Sequence, residues 1–534
     1  MRLSPSQLTI REIIGQLMMP KLPDTIELLD ASVWQRVVDD QSRFAFGGYI
    51  VFRGDRERTP PLLAELQDLS EMPLLFGADL ERGAGQQFSG ATEFPHVMAL
   101  GAARDPDLAF QQGAITALEA RRVGIHWVFA PVLDLASRPD NPIINVRGFG
   151  DSPRIVGTLG AAFVAGVQRY NGLACAKHFP GHGQTSTDSH EELPELIISR
   201  HKLETEDLLP FRQVIDTGLK SVMVGHLAVP ALDETGLPAT MSKRIVTDIL
   251  REQLGFKGLI VTDALDMGAI VKRFEPGYAA VRALQAGCDV LLMPPDPEAV
   301  VEAVLRAIEE GGLTKQRLLE SAERLDQARL DLGLWGGYEE PEAPAAAVWM
   351  DYQPAVEAIS DGAVTLLDAR EGLLPLGKAG SACMVMLDDD NDPILQQNFR
   401  QCVAQLEGVP QNLPFFVLEG DADESTVAEL CAEATHHDVV IVAVFMAVRA
   451  WKNRVAPPPL LTALPGRLKA GGCQVIVVSF TSPFLGPLMA PWDAFICAYS
   501  GDSATQKSVL RSLWGLQPMS GRLPVAHSAA WAQV

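Results

Sequence analysis

Short apolar and β-branched runs recur every few tens of residues along the first part of the chain, with helix-like patterns between them. These runs lie at 48–52, 74–79, 127–135, 173–178, 221–229, 259–263 and 289–293. Strands that alternate with helices predict a parallel sheet. The seven runs, together with one further weak or irregular strand, predict an α/β fold in which residues 1–335 form a (β/α)8 TIM-type barrel.

The composition changes after this region. Residues 336–349 are rich in Gly, Pro, Glu and Ala, a mixture that cannot bury one face and that predicts a linker. Further apolar runs follow at 363–367, 382–387, 415–418, 439–445, 475–480 and 494–498. They predict a second, smaller α/β sandwich domain over residues 350–534.

Composition and charge exclude several classes of protein. The 534 residues exceed what one core usually holds, and the net charge of -23 without a dense Lys/Arg run argues against a nucleic-acid partner. The seven cysteines show no Cys-x-x-Cys spacing, and neither a secretory leader nor an apolar stretch of about eighteen residues occurs. We therefore expect a cytoplasmic protein without a membrane partner, of open oligomeric state.

Polar residues mark the carboxyl ends of the predicted strands, where barrel enzymes present their ligand-binding groups. They are Asp79, Asp134, His178, His226 and Asp263. Asp263 ends the sixth run and is a candidate nucleophile, since a carboxylate can attack an anomeric carbon. It can equally cap the next helix. Asp266, one turn further on, is expected to be a helix-start residue.

The segment 177–190 concentrates further chemistry directly after a predicted strand, with one lysine, three histidines and an aspartate. Asp188 and His190 are two residues apart, so in an extended segment the carboxylate can orient the imidazole for proton transfer. A zinc or transition-metal site is the rival interpretation, because His178 and His182 with this pair are acceptable ligands. Against it, none of these residues falls in a helical His-x-x-x-His or Cys pair, and Lys177 adds a competing positive charge.

Two motifs together resemble glycoside hydrolase family 3, in its NagZ-type β-N-acetylglucosaminidase branch and two-domain form. They are Lys177-His-Phe-Pro-Gly-His-Gly-x4-Asp188-Ser-His190 and Thr262-Asp263-Ala-Leu-Asp-Met267. Shorter segments follow in family order at 79–85, 129–134, 147–150, 223–226, 238–242, 254–258 and 286–289. The resemblance covers most of residues 10–335.

The resemblance implies retaining, exo-acting hydrolysis of terminal β-linked N-acetylglucosamine, with peptidoglycan fragments as the expected source. It implies Asp263 as nucleophile and His190, supported by Asp188, as general acid/base. Imidazole suits this role because it titrates near neutrality, whereas a carboxylic acid needs a raised pKa.

For the sugar subsite, the resemblance implies Asp79, Arg147, Lys177, His178 and His226, whose charged groups suit hydroxyl recognition. Arg147 can alternatively serve as a structural ion-pair partner. Neither a cofactor nor a metal is expected. The loop after Asp79 departs from the family's Asp-Gln-Glu-Gly-Gly, which leaves the aglycone open.

Four alternatives remain at this point. The first is a family 3 β-glucosidase. The second is a β-N-acetylglucosaminide phosphorylase, because a histidine acid/base leaves less negative charge near an incoming phosphate than a glutamate does. The others are a metal-dependent barrel hydrolase and a non-catalytic carbohydrate-binding protein. The β-glucosidases of the family usually take their acid/base glutamate from the second domain, so a dyad in the first favours the N-acetylglucosaminidase branch.

Overall fold

The computed structural model describes residues 3–185, 191–336, 349–377, 381–447, 452 and 454–526. The chain divides into two compact units. The first consists of the chain up to Glu93, Ala109–Leu135 and Val156–Tyr352, and the second of Phe94–Leu108, Ala136–Ile155 and the chain from Gln353 onward. The predicted domain bounds at 335 and 350 stay a prediction, since most of the predicted linker lies outside the described residues.

Eight short parallel strands form the first unit's barrel. They are β1 (Met18–Met19), β2 (Gly48–Ile50), β3 (Leu75–Ala78), β4 (Trp127–Val128), β5 (Leu173–Phe179), β6 (Ser221–Val224), β7 (Leu259–Thr262) and β8 (Leu291–Leu292). Strands β2 to β7 form one sheet in chain order, and β1 pairs with β8. Backbone bridges Lys21–Ile50 and Val261–Val290 join the two sheets. The predicted barrel is confirmed.

Two details of the strand prediction are wrong. Strand β1 has only two residues and went unrecognised, so Asp263 follows the seventh strand of the barrel and not the sixth. The predicted strand over 127–135 ends at Val128, after which the chain continues irregularly to Asp134. Met18–Met19 follows the helix Ile10–Gln16 almost directly and precedes Pro20, so no separate apolar run marks this strand in the sequence.

The barrel interior explains why its strands are continuous apolar runs. Every residue of strands β5, β6 and β7 is buried, because helices cover a parallel sheet from outside while side chains fill it from inside. The central Trp127 donates its indole N–H to Ser221 Oγ at 2.7 Å, and that hydroxyl donates to the Ala174 carbonyl at 2.7 Å. The polar atoms of Trp127 and Ser221 within this core are thus paired.

Helices surround the barrel and alternate with its strands. They span Ile10–Gln16, Ala31–Phe44, Thr59–Asp68, Pro106–Arg122, Pro153–Arg169, Arg200–Lys202, Leu208–Asp216, Gly268–Val271, Pro276–Ala286, Pro297–Glu309 and Lys315–Asp331, with π-helical segments at Leu203–Asp207 and Arg244–Gln253. No described helix is both long and apolar enough to cross a bilayer.

The second unit has its own six-stranded sheet. Its strands are β9 (Thr365–Ala369), β10 (Ala382–Asp388), β11 (Phe415–Glu419), β12 (Val439–Phe445), β13 (Gln474–Ser479) and β14 (Ala494–Cys497), in the order β9-β14-β13-β12-β10-β11. Only the β9–β14 pairing in this sheet is antiparallel. The unit's helices are Met98–Ala103, Gln353–Ala363, Pro393–Gln405, Glu424–Ala434, Pro459–Thr462, Leu464–Ala470, Leu485–Leu488 and Ser503–Leu513. A second α/β domain, as predicted, is confirmed.

A buried carboxylate ties the outer helices to the start of strand β7. Asp289 is fully buried and forms ion pairs with Arg251, Arg317 and Arg324. It also accepts hydrogen bonds from Ser321 Oγ at 2.6 Å and from the Ile260 backbone N–H at 3.0 Å. Removing such a centre costs more than an exposed pair does, since its partners lose their counter-charge away from water.

Replacing Asp289 with Ala should lower the free energy of unfolding by about 3–5 kcal/mol, because the three guanidinium groups lose their shared carboxylate. Urea denaturation followed by tryptophan fluorescence measures this. The matched control is Glu298→Gln, which breaks an exposed pair with Arg43 and should cost less than about 1 kcal/mol. Equal losses in the two variants would contradict the assigned role of Asp289.

Candidate active site

Strand β5 carries the first group of candidate residues to the carboxyl end of the barrel. All seven of its residues are buried, and Lys177 and His178 come near its end. The peptide bonds Lys177–His178 and Phe179–Pro180 are cis, and the chain then turns through Gly181 to His182. Adjacent side chains of this segment have separate carboxylate partners.

Lys177 is the buried cation of the site. Its side chain is 2% exposed, and its Nζ lies 2.6 Å from Asp79 Oδ1 and 2.8 Å from Glu81 Oε1. Asp79 follows strand β3 and retains 29% exposure, whereas Glu81 is buried. Two carboxylates thus share one ammonium, and Asp79 is the more accessible of them. Sequence reasoning missed Glu81, although its position two residues after Asp79 was the available signal.

Asp134 organises the residues that follow Lys177. It is fully buried, and its Oδ2 accepts hydrogen bonds from the His178 backbone N–H at 3.1 Å and from His178 Nδ1 at 2.6 Å. Its Oδ1 accepts the His182 backbone N–H at 2.6 Å. Burial acts to raise the pKa of Asp134, but the charge and hydrogen bond of His178 outweigh it, so the pKa is lowered.

His182 is an uncharged member of the same cluster. Burial, followed by the nearby His178, lowers the pKa of His182 to about 4, although Asp134 and Asp263 act in the opposite direction. Thr185 Oγ1 donates to the His182 carbonyl at 3.0 Å and lies 2.7 Å from His182 Nδ1, which is therefore the donor of that second bond. The rings of His178 and His182 meet edge to face, 6.1 Å between centroids.

Asp263 directly follows strand β7 and is half-buried. Its backbone N–H donates to the Val224 carbonyl at 2.9 Å, and its Oδ1 accepts the Ala264 N–H at 2.8 Å. Asp266 is exposed and lies before the helix Gly268–Val271. The sequence predicts that Asp266 caps this helix, and that prediction is wrong, since Met267 occupies the N-cap position.

His226 holds the residue after Asp263. It is fully buried, with Nε2 2.9 Å from the Ala264 carbonyl and Nδ1 2.9 Å from Thr240 Oγ1. Because a carbonyl only accepts, Nε2 carries the proton and Nδ1 accepts from the threonine. Sugar binding by His226 stays a prediction, and its observed contacts are those of a residue that positions Ala264.

Three other predicted residues remain to be considered. Asp188 and His190 lie outside the described residues. Arg147 belongs to the second unit, where it ends the 3-10 helix Asn145–Arg147 and donates from Nη1 to the Ile143 carbonyl at 3.1 Å. Within the described ranges, no group of three or more His, Cys, Asp or Glu residues is arranged to hold a metal ion.

Comparison with known protein families identifies the family of this chain. Residues 9–328 match the model of the glycosyl hydrolase family 3 N-terminal domain, which is more than half of the chain. The chain belongs to glycosyl hydrolase family 3. The strand-end residues Asp79, Asp134, Lys177, His178 and Asp263 all lie within the matched range.

Relatives in family 3 extend the similarity beyond the barrel. A β-N-acetylglucosaminidase/β-glucosidase of Cellulomonas fimi is 28% identical over 491 residues, covering 87% of this chain and 86% of that protein. A β-hexosaminidase of Nitrosomonas eutropha is 38% identical over 268 residues, covering 48% of this chain and 76% of that protein. The solved structure of a family 3 β-N-acetylglucosaminidase from Paenibacillus sp. superposes with a TM-score of 0.84 at 29% identity, covering 97% of this chain and 99% of that one. The family 3 chain described here is a glycoside hydrolase.

Replacing Asp134 with Asn should lower the free energy of unfolding at pH 7 by about 3–5 kcal/mol, because a buried, bonded charge is lost. Since the pKa of Asp134 is lowered on folding, its contribution is present above the unfolded value of 3.8 and is lost as the pH falls through the folded value. Thermal unfolding of both proteins from about pH 7 to pH 3 measures the difference. A difference that stays constant through the acid range would contradict the account.

Proposed function

We propose that the chain is a retaining, exo-acting β-N-acetylglucosaminidase that removes terminal β-linked N-acetylglucosamine. One observation carries the proposal: Asp263, half-buried at the end of strand β7, lies close enough to His182 to act electrostatically on it, in the cluster that Asp134 and His178 complete. The names of the relatives in Cellulomonas fimi and Paenibacillus sp. support the choice of sugar. We further propose peptidoglycan-derived fragments in the cytoplasm as the natural substrate.

The proposed reaction proceeds through a glycosyl-enzyme. Asp263 attacks the anomeric carbon while His190 donates a proton to the glycosidic oxygen, whose bond to that carbon breaks with the electron pair going to the oxygen. Water then attacks the same carbon, His190 removes its proton, and the Asp263 ester bond breaks. Two successive inversions retain the β configuration. Asp188 supports the imidazolium form of His190 in this scheme.

The remaining polar residues serve to bind and orient the sugar. Asp79 and Lys177 form a charged pair, and carboxylate and ammonium groups suit the recognition of neighbouring hydroxyl groups. His178 binds Asp134 through Nδ1, so its Nε2 is the ring nitrogen available to a substrate oxygen. Arg147 and His226 are the remaining proposed sugar contacts.

Asp263→Ala should lower kcat on an aryl β-N-acetylglucosaminide by about a thousandfold or more, because the nucleophile is lost. Added azide should restore release of the aryl group and yield a glycosyl azide of inverted, α configuration, since a small anion enters from the face the carboxylate occupied. The matched control is Asp266→Ala, an exposed carboxylate three residues later that should keep near-parental activity. Near-parental rates in Asp263→Ala would refute the assignment.

A panel of aryl β-glycosides that differ only in the sugar should show preference for N-acetylglucosamine over glucose. The free sugar should be the product whether or not phosphate is present, and phosphorus NMR should detect no sugar 1-phosphate. Preference for the glucoside would move the assignment to a β-glucosidase. Formation of a sugar 1-phosphate would move it to a phosphorylase.

A further inference from the structure

A second carboxyl group lies beside the turn of the active site and takes no part in the scheme above. Asp207 ends the π-helical segment Leu203–Asp207 and is 1% exposed. Within the described part of the chain, neither of its carboxyl oxygens has a hydrogen-bond partner. A buried carboxylate in this state is costly, whereas the neutral acid is far less so.

Asp207 packs directly against the turn between Phe179 and His182. A Cβ placed on Gly181, whose φ is 125°, would lie 3.0 Å from the Asp207 Cβ and 3.3 Å from its Oδ1. The next residue, His182, donates its backbone N–H to Asp134. The turn therefore has one carboxyl group bonded to its end and another in contact with its middle.

The charged groups that face Asp207 come from three elements. Glu206 is on its own π-helical segment, Lys202 is on the helix before it, and Asp134 follows strand β4. Burial, and then the charges of Glu206 and Asp134, raise the pKa of Asp207 to about 7, with Lys202 opposing them. Ionisation of Asp207 would create a second buried negative charge near Asp134.

We propose that Asp207 is a positioning residue for the turn that carries His182, and that it fills this role only as the uncharged acid. The close approach of Asp207 to Gly181 supports the turn. The lack of a hydrogen-bond donor to the Asp207 carboxyl group, among the residues described, favours its neutral form. When Asp207 loses its proton, repulsion from Asp134 and the demand for solvent displace the turn. The consequence for activity rests on the proposed function, whereas the consequence for stability does not.

The sign of the stability effect follows from the raised pKa. The contribution of neutral Asp207 is fully present below the unfolded value of 3.8 and is lost as the pH rises through about 7. Between about pH 4 and pH 7, the thermal unfolding midpoint of the parental protein should therefore fall relative to that of Asp207→Asn, whose side chain has the same shape and no charge. Above about pH 8 the difference should level off. A pH-independent difference would overturn the proposal.

Two exposed neighbours shift that transition without touching the turn. Lys202 and Glu206 have side chains 42% and 44% exposed, so their variants should fold. Glu206→Gln should lower the pH at which the stability difference levels off, because a nearby negative charge is lost. Lys202→Gln should raise that pH, because a nearby positive charge is lost. Shifts in the same direction, or none in either variant, would show that Asp207 does not titrate there and would overturn the proposal.

Activity supplies the readout that separates positioning from simple packing. At about pH 6, Asp207→Asn should keep near-parental kcat on an aryl β-N-acetylglucosaminide, whereas Asp207→Ala should lose about tenfold to a hundredfold because the turn is unsupported. Equal loss in both variants would contradict the neutral-acid role. If the parental protein fails to turn over this substrate, the proposed function fails, while the stability measurements still decide the role of Asp207.

Discussion

The hydrogen bonds of the buried Asp134 carboxylate fix the end of strand β5, and the active site depends on them. One side chain accepts from the backbone and ring of His178 and from the backbone of His182, so both histidines are held to one point within the barrel. The preceding residue, Lys177, is pinned separately to Asp79 and Glu81. With these anchors on neighbouring residues, the backbone between Lys177 and His182 has little freedom.

Among the residues described above, four carboxyl groups and one lysine lie at this end of the barrel. Lys177 neutralises one of its two carboxylate partners. The pKa of Asp134 is lowered, so the Asp134 carboxylate stays ionised beside His178. Burial keeps His182 neutral near pH 7, so it adds no positive charge close to Asp263. Under the proposed function, these carboxylate oxygens accept hydrogen bonds from the hydroxyl groups of the sugar.

Sequence patterns predicted the barrel well because its strands are fully buried and therefore read as continuous apolar runs. The same patterns place Asp79, His178 and Asp263 at strand ends, where the structure has them, whereas Asp134 lies beyond the end of strand β4. Strand β1 was not predicted because it follows the helix Ile10–Gln16 almost directly and has no separate apolar run. Glu81 and Asp207 were not predicted because their roles depend on residues distant in sequence. Glu81 pairs with Lys177, and Asp207 lies beside Gly181 and near Asp134. The assignment of 94–108 and 136–155 to the second unit likewise depends on tertiary packing that no local pattern records.

Trapping the glycosyl-enzyme tests the central claim most directly. The protein is reacted with an activated 5-fluoro analogue of N-acetylglucosamine, which slows hydrolysis of the intermediate more than its formation, and is then digested and analysed by mass spectrometry. The account predicts one added sugar per chain, attached through an ester to the Asp263 side chain, in the parental protein and not in Asp263→Ala. Attachment to another residue, or turnover of the analogue with inversion at the anomeric carbon, would contradict it.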